Sequence, residues 1–317
     1  MSVVTDKLSR RWSLRAKEAA AGYFFILPFL IGFLWFTAIP MGVALYISFT
    51  EYNIVQPPEW VGVHHFVRLF EDTRLRKALA NTSFYAGLSV PLYLATSFLA
   101  ALAMNSKIKG IRIYRTIFYL PSVIPAVANV MLWLWIFNPQ WGIANFLLGL
   151  VGIEGQKWFL DPNLSKPCLI AMGLWGIGPT MVIYLAGLQG VPPELYEAAE
   201  IDGAGPWGRF LHVTIPMMSS VTFFNLIMGI INAFQVFALA FVLIETGAGG
   251  TATAGAAGVQ DSLLFYVYYL YQRGFQYQQM GYASAMGWLL LLIILVLTVI
   301  QFKLAGSWVY YEAARGA

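Results

Sequence analysis

The sequence predicts an all-α integral membrane protein with six transmembrane helices and, between the fourth and fifth, a short cytoplasmic helix-turn-helix. Composition is the first of three observations behind that prediction: 59% of the 317 residues are hydrophobic, 11% are charged, and the mean hydropathy is +0.67. A soluble domain is about one-quarter charged and has no way to bury so much apolar surface. Second, apolar stretches of roughly 20 residues recur, each long enough to cross a hydrocarbon core of about 30 Å as a helix. Third, the one long polar interruption rich in acids, at 191–217, carries helix start and stop signals.

The six spans are expected at 22–49, 81–104, 113–137, 168–189, 219–244 and 281–303. An even number puts both termini on one side. With that side inside, 12 Lys and Arg residues (Lys7, Arg10, Arg11, Arg15, Lys17, Lys107, Lys109, Arg112, Arg115, Arg209, Lys303, Arg315) are cytoplasmic. The other 7 (Arg68, Arg74, Arg76, Lys77, Lys157, Lys166, Arg273) are outside. This split obeys the positive-inside rule and accounts for the net charge of +4 without a nucleic-acid partner. The organisation expected is a basic cytoplasmic segment at 1–21, a membrane domain at 22–305 containing the loop 191–217, and a cytoplasmic tail at 306–317.

The basic start followed by an apolar run differs from a cleavable signal peptide, because the run is too long and no small-x-small site closes it promptly. Residues 7–18 are expected on the inner membrane surface, beside anionic headgroups. Pro28, Pro40, Pro91, Pro121, Pro125 and Pro179 each remove a backbone donor within a span, so kinked helices are expected. The Gly/Ala-rich stretch 246–258 reads as a flexible turn, and the Tyr- and Phe-dense stretch 262–277 as a helix at the outer interface.

In the loop, Pro192 and Pro193 suit the start of a helix, with Glu194 in its positive first turn. Leu195, Ala198 and Ala199 share a face, Asp202-Gly203 ends the helix, and Gly205-Pro206 begins another. Glu194, Glu197, Glu200 and Asp202 put four acids on the side where basic residues are the rule, which calls for a basic partner such as an arginine.

The spacing Glu197-Ala198-Ala199, three residues, Gly203, nine residues, Val213-Thr214-Ile215-Pro216 resembles the E-A-A-x3-G-x9-I-x-L-P signature of permease subunits in binding-protein-dependent ABC importers. Val213 and Ile215 depart from it by aliphatic swaps. Ser48 to Asn53, Trp60-Val61-Gly62, Tyr119-Leu120-Pro121 and Met280 to Ala285 are similar to the carbohydrate-uptake branch, so the likeness covers nearly the whole chain. Gly247-Ala248-Gly249-Gly250 resembles that branch's Gly-Gly-Gly-Pro turn but lacks the proline.

The resemblance implies a cytoplasmic-membrane permease for a mono- or oligosaccharide, paired with a second, homologous permease. Two cytoplasmic ATPases would drive it and an external sugar-binding protein would serve it; glycerol 3-phosphate is the alternative cargo. ATP and Mg would bind at the partner ATPase, since this sequence has no G-x-x-x-x-G-K-[ST] loop and no cofactor motif. Glu197, Ala198, Ala199, Asp202, Gly203 and Pro216 would form the ATPase-coupling element. Trp175, Ile177, Pro179 and Thr180, with Asn232, Phe234, Gln235 and Phe237, would line the substrate path, where amides and aromatic faces suit a sugar.

Other classes find less support. His64 and His65 are adjacent, which is wrong spacing for two metal ligands on one helix face, and His212 stands alone. Cys168 is the single cysteine and reads as a small helix residue. No catalytic constellation appears, and no acid lies deep in a span, as an ion-coupled secondary transporter would require.

Overall fold

The computed structural model describes residues 14–106, 109–247 and 255–310. Expectations for the basic stretch before Leu14, for Lys107, for the Gly/Ala-rich residues 248–254 and for the tail beyond 310 fall outside the described residues. Among the described residues, four helices are long and apolar enough to cross a membrane: Glu18–Ile47, Thr73–Met104, Ser219–Glu245 and Met280–Ala305. Two bent pairs, Ile111–Val123 with Ala126–Ile136 and Ser165–Trp175 with Gly178–Gln189, bring the number to six if each pair counts as one. We call these segments 1 to 6 in chain order, segments 3 and 4 being the bent pairs.

Proline has different consequences in different places. Pro91 sits inside the unbroken helix Thr73–Met104, and Pro28 inside Leu14–Phe33. Pro40 follows a widened π-turn at Leu34–Ala38, one way for a helix to absorb a missing donor. Segment 3 is not the single helix expected over 113–137. It turns by 101° where Ile124 takes an extended conformation ahead of Pro125. A residue before proline is driven out of the helical region by the ring, which accounts for the break. Segment 4 bends by 51° between Trp175 and Gly178, just before Pro179.

Segment 2 is the central post, packing against segments 4 and 5. At 32 residues it is about 48 Å long. Near its first turn lies a polar cluster. Asp72 caps the helix by accepting from the Arg74 and Leu75 amides at 2.9 and 3.0 Å. Its other oxygen accepts from Tyr269 and Tyr282 Oη, both at 2.7 Å, with Arg273 Nη2 at 3.7 Å. Arg74 grips Asp261 through Nε and Nη2 at 3.2 and 3.1 Å, and Asn81 Nδ2 donates to the Asp261 and Leu264 carbonyls at 2.9 and 3.0 Å. These bonds fasten the stretch 255–277 to the start of segment 2.

That stretch corrects one expectation. Its tyrosines are not all interfacial: Tyr266, Tyr268 and Tyr269 are fully buried and belong to the core with Phe265 and Tyr282, and of its aromatic residues Phe275 and Tyr277 remain exposed. Nearby, a small hairpin pairs Thr50–Glu51 with Glu59–Trp60, and buried His65 holds the Thr50 carbonyl at 3.0 Å. Gly281 is required there, because a Cβ on it would lie 2.0 Å from the Thr50 oxygen.

Candidate functional site

Two places bring the singled-out residues together. The first is the acidic hairpin beyond the far end of segment 2. Its helix runs Pro193–Ile201, and Asp202 is the C-cap. Gly203 has φ +81°, donating to the Glu200 carbonyl at 3.0 Å, while the Ala204 amide reaches Ala199 at 2.8 Å. These two bonds are the Schellman closure, which needs a left-handed residue and so favours glycine at 203. A four-residue helix, Pro206–Arg209, follows, then a π-turn at Phe210–Thr214 and a last turn, Ile215–Met217, containing Pro216.

Glu197, Ala198 and Asp202 are exposed, while Ala199 is half-buried. The four acids are not all uncompensated, however. Glu200 is paired with Arg209 at 2.8 Å, which ties the two short helices together. Sequence reading passed over two residues that the structure brings to the tip. Ile201, next to the C-cap, is 86% exposed and Trp207, on the second short helix, 70%. Their signal was an isoleucine and a tryptophan flanking an Asp-Gly turn.

Aromatic rings continue inward from that tip. Trp207 stacks on Phe210 at 5.3 Å, Phe210 on Phe98 of segment 2 at 6.3 Å, and Phe98 packs on Tyr184 of segment 4 at 5.2 Å. Tyr196 Oη and Thr214 Oγ1 share a hydrogen bond of 3.1 Å, so the hairpin is braced on its own stem. A displacement of the hairpin therefore has a packed route into segments 2 and 4.

The second place is a cavity of about 340 Å³ between segments 2, 4 and 5. Of the residues expected along the substrate path, Pro179, Thr180 and Asn232 line it. The other five expected lining residues lie elsewhere. Trp175 packs edge-on against Trp133 at 5.8 Å, Ile177 is buried at the break in segment 4, and Phe234 is buried in the core. Gln235 is the exposed C-cap of Ser219–Phe234, and Phe237 packs on Phe241 and Tyr271 at 5.1 and 5.5 Å. The helix of segment 5 ends at Phe234 and restarts at Ala238, so the face presented by Asn232 is not continued by Gln235 and Phe237.

Missed by sequence reading are Tyr85, Ser89 and Tyr93, which line the cavity from segment 2, and Asn225, one further stripe position from Asn232. Their spacings of four, eight and seven residues are the signal: polar groups recurring on one helical face within apolar runs. Tyr93 Oη donates to the Gly176 carbonyl at 3.1 Å, satisfying an acceptor at the break in segment 4. No Lys, Arg, Asp or Glu is among the lining residues.

With this geometry in view, comparison with known proteins is decisive. Residues 93–307, which include the acidic hairpin, match the family described as binding-protein-dependent transport system inner membrane component. The chain belongs to that family. Among its relatives, the probable ABC transporter permease protein YesP of Bacillus subtilis is 42% identical over 97% of both chains. The arabinooligosaccharides transport system permease protein AraP of Halalkalibacterium halodurans is 32% identical over 97% of this chain and 94% of its own. In structure the chain is similar to a bacterial ABC transporter involved in the import of the acidic polysaccharide alginate. The TM-score is 0.75 and the identity 25%, covering 91% of this chain and 96% of the other. In this family member the hairpin and the cavity sit at separate levels of segment 2: Phe98 meets the hairpin, and Tyr85 to Tyr93 line the cavity about one and a half to three and a half turns away.

Proposed function

We propose that this chain is one of two membrane subunits of an ATP-driven importer that carries a mono- or oligosaccharide through the cytoplasmic membrane. The observation that carries the proposal is the exposed hairpin with its signature. Glu197, Ala198, Asp202 and Gly203 are presented to solvent, and Ile201 and Trp207 beside them are too apolar to be left in water without a partner. A cytoplasmic ATPase offering a cleft with apolar walls and an arginine fits that surface.

On this reading the six segments each cross the membrane once, both termini are inside, and the hairpin is the coupling element. Closure of two ATPase subunits around ATP and Mg draws the hairpin with them, and the rings Trp207, Phe210, Phe98 and Tyr184 pass the motion into segments 2 and 4. Pro216, at the foot of segment 5, moves with it. The bends in segments 3 and 4 are where packed elements take two discrete arrangements rather than deform smoothly. A second, homologous permease completes the pathway, and an external binding protein supplies the sugar.

The cavity supports the cargo assignment. Two tyrosines, two asparagines, Thr180 and Ser89 give aromatic faces and neutral hydrogen-bonding groups, the chemistry that sugars require. With no lysine or arginine among the lining residues, it favours a sugar over glycerol 3-phosphate. The test is Glu197→Lys in the transporter reconstituted with its ATPase and binding protein. The variant is expected in the membrane at normal level with sugar uptake abolished; full uptake would defeat the proposal.

A further inference from the structure

Between segments 3 and 4 the chain runs through residues 137–164, which a hydropathy reading treats as an external loop. The sequence from Thr116 to Ile153 contains no Asp, Glu, Lys or Arg, so the charge-free stretch continues well past the end of segment 3. Within it, Ile143–Leu150 is a helix of eight residues, IANFLLGL. Ile143, Phe146, Leu147 and Leu150 follow the three- and four-residue spacing of one helical face, and they are 61%, 66%, 55% and 68% exposed. Charge returns only at Glu154 and Lys157.

This stretch has a built shape. Asn145 projects from the other side of the helix and makes four hydrogen bonds, each of 2.9 Å. Its amide donates to the Pro139 and Gln156 carbonyls, and its carbonyl accepts from the Gln156 amide and Trp158 Nε1. Both ends of the stretch are thereby closed on one side chain whose hydrogen-bonding capacity is used completely. The Gln156 backbone is satisfied on the Asn145 side of the helix, and the apolar face is left exposed.

We propose that the helix Ile143–Leu150 lies in the bilayer, its Ile143, Phe146, Leu147 and Leu150 face packed against lipid tails, so that the stretch is a re-entrant collar around segment 3. Continuity decides for lipid. The exposed face of Ala126–Ile136, with Val127, Met131 and Trp135, runs into the helix through the edge-on contact of Trp135 with Trp141 at 6.4 Å. Charged side chains, at 154 and 157, come only after the apolar stripe has ended, so nothing charged interrupts the apolar surface from Val127 to Leu150. A docking face for a soluble protein carries a polar rim and side-chain hydrogen-bonding groups. The stripe has neither. The collar would hold the end of segment 3 at fixed depth while the 101° bend at Ile124–Pro125 works against segment 4.

The sidedness of the collar rests on the proposed orientation; its burial in lipid does not, and the experiment reads only the latter. Single cysteines replace Phe146, Leu150 and, as a control, Glu154 in a Cys168→Ala background, in the complete transporter in lipid nanodiscs. Nitroxide labels are then compared for collision with oxygen, which concentrates in hydrocarbon, and with a nickel chelate, which stays in water. Labels at 146 and 150 are expected to collide with oxygen and be shielded from nickel, with the reverse at 154. Nickel access at 146 and 150 would overturn the proposal in favour of a water-facing surface. Shielding from both reagents would overturn it in favour of a protein neighbour such as the second permease. Uptake by the Phe146→Cys and Leu150→Cys variants, measured alongside, reports separately on the sugar-import reading.

Discussion

Gly178 is where the bend of segment 4 meets segment 3, and adding one methyl group there tests whether that crossing moves during transport. A Cβ on Gly178 would stand 2.7 Å from Tyr119 Cα and 2.8 Å from the Phe118 carbonyl oxygen. Both are backbone atoms, so no flexible side chain can swing aside and the two segments must separate. Overpacking of this kind costs about 1–3 kcal/mol, and if the cost falls on one of two conformations it shifts their ratio about 5- to 150-fold. Gly173, one and a half turns earlier and lining the cavity, is the matched control: its Cβ would meet only Tyr85 Oη, at an ordinary 3.6 Å. In proteoliposomes with saturating binding protein and ATP, Gly178→Ala is expected to cut sugar uptake at least severalfold, with Gly173→Ala near the parent rate. Thermal unfolding of both variants, followed by intrinsic fluorescence, separates lost packing from a changed conformational ratio. Equal uptake by the two variants would refute the inference that close backbone approach at Gly178 limits the transport cycle.

The coupling reading predicts that Phe98→Ala, which removes the ring between Phe210 and Tyr184, lowers uptake per ATP hydrolysed while the ATPase continues to turn over. A ring pair is worth about 0.5–1.5 kcal/mol, so weakened rather than abolished coupling is expected. Gly203→Val forces a β-branched residue to φ +81° and should disorder the hairpin at about 1–2 kcal/mol, seen as loss of the ATPase from the purified complex. Asn232→Leu, in the cavity wall, should raise the sugar concentration needed for half-maximal uptake and leave ATPase binding unchanged.

The cluster at Asp72 should fail at both ends of the pH scale. Burial pushes the Asp72 carboxyl up, but hydrogen bonds from Tyr269, Tyr282 and the Leu75 amide, with the Arg273 charge, outweigh it and hold the group below its usual value. The stability this contributes is complete above the unfolded value of about 3.9 and is lost as pH falls through the lower folded one. Tyr269 is pushed up to about 12 by burial and by its bond to Asp72, so its contribution is whole below about pH 10 and disappears toward 12. Proteolysis of the 255–277 stretch as a function of pH reads both limbs; Asp72→Asn should abolish the acid one.

The approximate bounds of the apolar segments were legible in the sequence because lipid makes a coarse demand: length and freedom from charge, both visible residue by residue. The hairpin was legible for a different reason. Pro193, Glu194, Asp202 and Gly203 act through local backbone physics, and local rules transfer directly from sequence to shape. The cavity was legible only in part. Asn232 faces it, whereas Gln235 and Phe237 do not, because segment 5 loses helical register at Gln235 and a face read by periodicity ends there. Tyr266 and Tyr269 misled in the same way: a tyrosine-rich run at a segment end looks interfacial until the Asp72 carboxylate and the Met286 carbonyl, each more than ten residues away, are seen to receive their hydroxyls.

By itself, then, the sequence determined what kind of solvent surrounds this protein, roughly where its apolar segments begin and end, and which short acidic turn stands between two of them, all properties of neighbouring residues. Tertiary structure decided how sharply segments 3 and 4 bend, which polar side chains share the cavity, that Glu200 is spoken for by Arg209, and that an uncharged helix between segments 3 and 4 keeps its greasy face outward. Those outcomes depend on contacts between residues far apart in the chain, and within an all-apolar helix every face reads alike until a neighbour covers one of them.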